Sequence, residues 1–235
     1  MTSVQATAMV LAAGRGERMR PLTDHTPKPL LKIGGHSLIE YHLTRLAQAG
    51  FKRVVINHAH LGSQIVSAIG DGSRWGLTVV YSAEAQALET AGGIANALWL
   101  IDSDAFAVIN SDVFSEFDYA RLGIAAQQLQ QSRQSNAHLV LVDNPPHNPD
   151  GDFALVNELV AIDSDPKLTF AGLAAYRAEM FSSLSVGEKM PLAPLLRTQI
   201  QAGRVSGEHF SGYWTDVGTP QRLAAANERL KDKRP

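Results

Sequence analysis

The sequence contains no cysteine. Disulfides, thiolate metal centres and cysteine nucleophiles are therefore excluded. It also lacks a surplus of either charge: the formal net charge is −2 and charged residues make up 19%. A partner held by bulk electrostatics, nucleic acid above all, is not expected. Long hydrophobic runs are missing as well. The stretch Ala8 to Ala13 is far too short to span a bilayer and ends at Gly14. The opening residues, Met1 to Thr7, have neither the basic segment nor the continuous apolar run of a secretory signal. Together these absences predict a soluble, cytoplasmic protein with no membrane partner. No internal repeat or low-complexity linker divides the 235 residues, so one domain over 1–235 is the simplest organisation.

What is present alternates. Short apolar runs at Ala8–Ala13, Arg53–Asn57, Leu77–Tyr81 and Ala105–Ile109 read as buried strands. Helical periodicity separates them over Leu38–Ala49, Leu61–Ile69 and Thr90–Leu100, with Gly50 and Gly70 as stops. Strand and helix in alternation predict an α/β fold with a mainly parallel sheet flanked by helices. From Ala137 the pattern changes. The segments His138–Val142, Phe153–Val156 and Thr169–Leu173 are strands divided by Pro- and Asp-rich loops, as in an antiparallel extension. Helical patterns return at Leu192–Ala202 and Gln221–Leu230, and Lys231–Pro235 reads as a frayed end.

Chemistry is suggested first by Leu11-Ala-Ala-Gly-Arg-Gly-Glu-Arg-Met-Arg-Pro-Leu-Thr23, which leaves the first strand through Gly14 and Gly16. Glycines there let backbone N–H groups approach anionic oxygens. Arg18, and Lys28 in Thr26-Pro-Lys-Pro-Leu30, would add positive charge. A lysine between two prolines stands on a stiffened backbone, which suits a side chain that must hold one position. Gly-x-Gly after a strand is by itself weak evidence, since any tight turn can show it. Met19 stands where a dinucleotide-binding loop wants its third glycine, and no P-loop lysine follows the glycines. Two aspartates also stand out: Asp112 after the strand Ala105–Ile109, and Asp216 in Tyr213-Trp-Thr-Asp-Val-Gly-Thr-Pro220. By residue type alone each reads more often as a turn or cap residue than as a ligand, Asp216 as a cap for the helix beginning near Pro220. The histidines, His58 and His60 included, form no convincing ligand set.

Read together, the glycine loop with its arginine, the Pro27-Lys-Pro-Leu30 segment and the Trp-x-Asp-x-Gly-Thr motif resemble the sugar nucleotidylyltransferases, over Met9 to about Leu230. The resemblance implies a Rossmann-like, glycosyltransferase-A-like sheet with a small antiparallel substrate-side sheet. A nucleotide-binding part would cover about 1–136 and a sugar-binding part about 137–220. It implies that Ala13, Gly14, Gly16, Glu17, Arg18 and Lys28 line a nucleoside triphosphate. Thr90, Ala91 and Gly92 would face the base, and Asn110 the nucleoside. Asn144, Asp152 and Gly172 would face the sugar, and Asp112 and Asp216 would hold Mg²⁺. Arg18, Lys28, Asp112 and Asp216 are the implied catalytic set. Ser111 replaces the usual glycine before the first aspartate. A larger departure lies at Leu155-Val-Asn-Glu-Leu-Val160, where many members carry Glu-Lys-Pro and use the lysine on the sugar phosphate; no lysine follows Glu158.

Within the family, Gly70–Gly76, Leu88–Ile94 and Val142–Pro145 look most like the N-acetylmuramate-1-phosphate uridylyltransferases of peptidoglycan recycling and cell-wall supply. The implied substrates are UTP and a sugar 1-phosphate. Mannose-1-phosphate guanylyltransferases are the nearest alternative, and a nucleotide-sugar-binding regulatory module is the non-enzymatic one. The length leaves no room for a hexapeptide-repeat acetyltransferase domain. An NAD-dependent dehydrogenase is disfavoured by Met19 and by Asn57, where an acidic residue would bind the ribose.

Overall fold

The computed structural model describes residues 6–232. Its centre is built from runs of Val, Ile and Ala that are apolar on consecutive residues rather than alternate ones. Strands β1 (Thr7–Leu11), β4 (Arg53–His58), β5 (Thr78–Ala83) and β6 (Ala105–Asn110) have this character. They require cover on both faces, which a parallel sheet between helices provides. Ala8, Val10, Val54, Ile56, Ala107 and Ile109 pack into one core, while Met9, Val55, Phe106 and Val108 pack into the other.

The remaining elements are a ribbon of β2 (Lys32–Ile33) and β3 (His36–Ser37), then α1 (Leu38–Gln48), α2 (Gly62–Ile69) and α3 (Glu89–Ala97). After β6 come β7 (Val113–Ser115), α4 (Tyr119–Gln131), β8 (Ala137–Val142), β9 (Phe153–Val156), β10 (Leu159–Ala161) and β11 (Lys167–Arg177). The chain closes with α5 (Leu192–Gln201), β12 (Val205–Phe210), β13 (Trp214–Asp216) and α6 (Pro220–Asp232). Helix α1 starts at a capping box: Ser37 caps it while its own N–H donates to Glu40 Oε2 at 2.8 Å. Helix α4 was not expected over 119–131, because its glutamines mask the buried stripe Tyr119, Leu122, Ala126 and Leu129. Asp118 caps it by accepting from the Ala120 N–H.

One nine-stranded sheet runs in the order β5-β4-β1-β6-β11-β8-β12-β10-β9. The first four strands are parallel; β11 runs antiparallel to both β6 and β8, and β12 parallel to β8. The expected antiparallel region is therefore continuous with the parallel half, joined through β11. A separate pairing of β13 with β7 sets Asp216 opposite Val113. That short ladder brings the end of the chain back to the loop after β6. Of the expected frayed end, Lys231 and Asp232 still belong to α6 and 233–235 lie outside the described residues. Residues 1–5, most of the segment read for a signal, lie outside them too.

Candidate active site

A cleft of about 440 Å³ opens at the carboxyl ends of β1, β4 and β6. Ligands bind there in open parallel sheets because strand ends leave backbone and loop groups to converge. The glycine loop forms one wall, with Gly14, Arg15, Gly16, Glu17 and Arg18 lining it. Gly16 has a φ of 71°, and a Cβ on it would stand 3.0 Å from Thr23 Cγ2. Its carbonyl accepts from Thr23 Oγ1 at 2.9 Å. Met19 is fully buried and packs with Leu31, Ile33, Leu38, Val217 and Ala226. A third glycine would forfeit that anchor. Arg15 donates to the Thr23 carbonyl at 2.8 Å and to Asp24 at 3.1 Å, so it holds the loop's shape. Arg18 is exposed at the cleft and makes no ion pair among the described residues.

Lys28 crosses the cleft to Asp112, with Nζ 2.5 Å from Oδ2. Asp112 in turn accepts the Val217 N–H on its backbone carbonyl at 2.7 Å, which ties it to the residue after Asp216. Asp216 does not cap α6: Thr219 does, its Oγ1 and carbonyl accepting from the N–H groups of Arg222 and Leu223. Instead the Asp216 carboxylate faces Arg222 at 2.9 Å and His147 at 3.0 Å. Neither contact has hydrogen-bond geometry, and Oδ1 is buried without a hydrogen-bond partner. No group of three or more His, Asp or Glu converges anywhere among the described residues. A metal at this place would have two carboxylates from the protein, Asp112 and Asp216, which here face Lys28, and Arg222 with His147. Hard oxygen donors of that kind suit Mg²⁺, with phosphate oxygens and water completing the shell.

The side of the cleft where the resemblance places the base is organised by two residues, Asn57 and Glu84, that the motifs do not name. Asn57, at the end of β4, accepts the Ala12 N–H at 2.9 Å and donates to Glu84 Oε1 at 2.6 Å. Glu84 Oε2 accepts the Leu88 N–H at 2.9 Å. Burial pushes the Glu84 carboxyl above its ordinary value, against the hydrogen bonds from Asn57 and Leu88, which lower it. This network links the start of the glycine loop to the start of α3. The available signal was a polar residue ending a buried parallel strand, as Asn110 also does.

Of the expected base-facing residues, Thr90 lines the cleft. Ala91 is buried in the core, and Gly92 lies against the Glu188 carbonyl and the Met190 N–H of the chain before α5. Thr90 is not the helix cap. Leu88 precedes the helix, and Glu89 opens it with a left-handed φ of 63°. On the expected sugar side, Gly172 has a φ of 69° and gives its Cβ space to Asn110, whose Nδ2 would be 2.6 Å away. Asn144 and Asp152 do not line the cleft. Asn144 binds the Pro149 and Lys167 carbonyls and Thr169, while Asp152 accepts from Asn148 and the Phe170 N–H.

Beneath the cleft, His42 bridges Tyr119 Oη at 2.8 Å and the Ser111 carbonyl at 3.3 Å. Full burial lowers its pKa to about 4, so it is neutral near pH 7.

Residues 7–157 match the nucleotidyl transferase family model. The N-acetylmuramate alpha-1-phosphate uridylyltransferase of Neisseria meningitidis serogroup B is 52% identical, over 93% of this chain and 96% of that protein. Its namesake in Caulobacter vibrioides is 31% identical, over 99% and 100%. The mannose-1-phosphate guanylyltransferase of Mycobacterium tuberculosis is 29% identical, over 98% and 66%. Among solved structures, a UDP-glucose pyrophosphorylase complexed with UDP-glucose superposes with a TM-score of 0.75, over 98% of this chain and all of that one. It shares only 19% of its residues and so speaks for the Rossmann-like α/β fold alone. Motif, topology and relatives agree, and the chain belongs to the nucleotidyl transferase family.

Proposed function

We propose that this protein transfers the uridylyl group of UTP to N-acetylmuramate 1-phosphate, giving UDP-N-acetylmuramate and pyrophosphate. The observation that carries this reading is the 52% identity, along nearly the full length of both chains, to the Neisseria enzyme of that name. No helix among the described residues is long and apolar enough to cross a membrane. We place the reaction in the cytoplasm, in the reuse of peptidoglycan sugars.

In this reading, residues 1–136 form the nucleotide-binding part and 137–220 the sugar-binding part of one domain. Ala13, Gly14, Gly16 and Glu17 border the triphosphate, and Arg18 and Lys28 neutralise it. Thr90 meets the base from the first turn of α3, with Ala91 and Gly92 allowing that turn its close packing. Asn110 takes the nucleoside. Gly172 opens space beside Asn110, while Asn144 and Asp152 fix the loop that borders the sugar.

An oxygen of the sugar's 1-phosphate attacks the α-phosphorus of UTP. The new P–O bond forms as the α-phosphorus loses its bridging oxygen to pyrophosphate, which leaves with that bond's electron pair. The nucleophile is already anionic at neutral pH, so no general base is required. The obstacle is repulsion between polyanions. Unit charges about 4 Å apart at an effective dielectric near 20 repel by about 4 kcal/mol, and several such pairs meet here. Asp112 and Asp216 would hold Mg²⁺, which when bound supplies charge neutralisation and orientation. The protein's own contribution is to fix the phosphates with Arg18 and Lys28.

The test is pyrophosphate release with Mg²⁺ across UTP and GTP, each crossed with N-acetylmuramate, N-acetylglucosamine and mannose 1-phosphates. UTP with N-acetylmuramate 1-phosphate is expected to give the highest kcat/KM. GTP with mannose 1-phosphate should fall lower by roughly 10²- to 10⁴-fold, the range open to a pocket with hydrogen-bonding groups. A win for GTP with mannose 1-phosphate would overturn the uridylyl assignment. Tight nucleotide-sugar binding without pyrophosphate from any pair would favour a binding module instead.

A further inference from the structure

Arg222 stands in the first turn of α6, its backbone fixed by Thr219 and its guanidinium directed at Asp216. The guanidinium lies against Gly218, a wall residue of the cleft. A Cβ on Gly218 would collide with Arg222 Nη2, so glycine there keeps the fork beside the cleft. Arg222 Nε and Nη2 are shielded from solvent yet make no hydrogen bond. A structural arginine would normally offer its fork to a carboxylate in two aligned bonds. Here Nη2 only stands 2.9 Å from Asp216 Oδ2, off hydrogen-bond geometry. Buried charged donors without acceptors are rare in native proteins, and a ligand that supplies the acceptors is one of the few explanations.

The distribution of cations leaves a task for this one. Arg15 and Arg20 are engaged with Asp24, and Lys28 with Asp112, all on the glycine-loop side. The sugar's phosphate brings a second anionic group to the same cleft. The segment that lacks a lysine after Glu158 cannot serve it. Asn157 and Glu158 form the left-handed turn of the β9–β10 hairpin, with φ values of 50° and 65°, and neither lines the cleft.

We propose that Arg222 binds the phosphate of the sugar 1-phosphate, its pairing with Asp216 being the resting arrangement. The inference rests on the transferase reading above. A guanidinium fork matches phosphate oxygens two at a time, which a lysine cannot do.

The experiment compares wild type with Arg222→Gln and Arg222→Lys. Loss of charge-assisted hydrogen bonds predicts a rise in KM for the sugar 1-phosphate of roughly 10- to 100-fold in Arg222→Gln. Arg222→Lys should show a smaller rise. The affinity for UTP, measured by calorimetry without sugar, should stay within about twofold. Inorganic phosphate should compete with the sugar 1-phosphate in the wild type and do so at least several-fold less well in Arg222→Gln. An unchanged KM for the sugar phosphate, or an equal loss of UTP affinity, would overturn the proposal. If Arg222→Gln does not fold, Arg222→Lys keeps the charge beside Asp216 and decides by the same split. A wild type without pyrophosphate release would sink the transferase reading instead. Calorimetry with inorganic phosphate alone would then still decide the role of Arg222.

Discussion

At the carboxyl ends of β1, β4 and β6, polar side chains turn into the cleft, where Asn57, Asn110 and Asp112 all line it. Across β11, the loop between β8 and β9 is just as polar, yet Asn144, Asn148 and Asp152 bond to one another's neighbours and to nearby backbone. The same residue types thus border the cleft in one region and serve loop architecture in the other. The difference follows from the sheet. Parallel strands deliver successive ends to one rim, so their polar ends converge. The antiparallel region returns its chain at both rims, and a long loop there must satisfy its own backbone groups. From the β8–β9 loop, His147 reaches back to within 3.0 Å of Asp216.

The largest effect that would break this comparison lies at the junction of β7 and β13. Asp112→Ala and Asp216→Ala should each lower kcat by roughly 10²-fold or more while the thermal transition stays cooperative. Near-normal Mg²⁺-dependent turnover in either variant would make that aspartate structural.

A second test uses the two most buried histidines, one in each region. Burial lowers His42 to about 4, against the Ser111 carbonyl and Asp112, which raise it. His138, on β8 beside β12, is also lowered to about 4, by burial and then by Arg121. Both folded values lie below the unfolded value of 6.5, so the unfolded chain binds protons first as pH falls. Stability should therefore be lost between pH 6.5 and about 4, by up to about 3 kcal/mol for each histidine. Urea unfolding at pH 7, 6, 5 and 4 would show it. His42→Gln should flatten only part of the loss, because His138 keeps its share. A flat wild-type profile would mean that both rings take up protons in the folded state as readily as in the unfolded chain.

The smallest effects separate the regions by substrate. Asn57→Ala leaves buried Glu84 and the Ala12 N–H without their partner and should cost about 1–3 kcal/mol of stability. It should weaken UTP more than the sugar phosphate. Asn144→Ala should cost about 1 kcal/mol and weaken the sugar phosphate more. Equal effects on both substrates would erase the distinction drawn here.

Much of the first region was legible in the sequence because its signals are local. Unbroken apolar runs marked β1, β4 and β6, Gly50 marked the end of α1, and the glycine loop and Pro-Lys-Pro segment named Gly14, Gly16, Arg18 and Lys28. What escaped depends on contacts distant in sequence. Nothing local says that β11 lies between β6 and β8, or that three-residue β13 pairs with β7. Strand β11 extends from Lys167 to Arg177, well beyond the expected Thr169–Leu173, because its second half is buried between two neighbours. Glu84 reads as a surface residue until Asn57 and Leu88 close around it, and Arg222 as a solvated helix residue until Gly218 admits it beside Asp216.

If the pairing of β7 with β13 brings Asp112 and Asp216 together as one divalent-metal site, metal binding will show it without turnover. Mn²⁺ titrated into protein with UTP, followed by its electron paramagnetic resonance signal, should show one ion bound in the wild type. Each single alanine variant should bind it at least about tenfold more weakly, the loss expected for a missing carboxylate ligand. Equal Mn²⁺ affinity in the wild type and either variant would contradict the account.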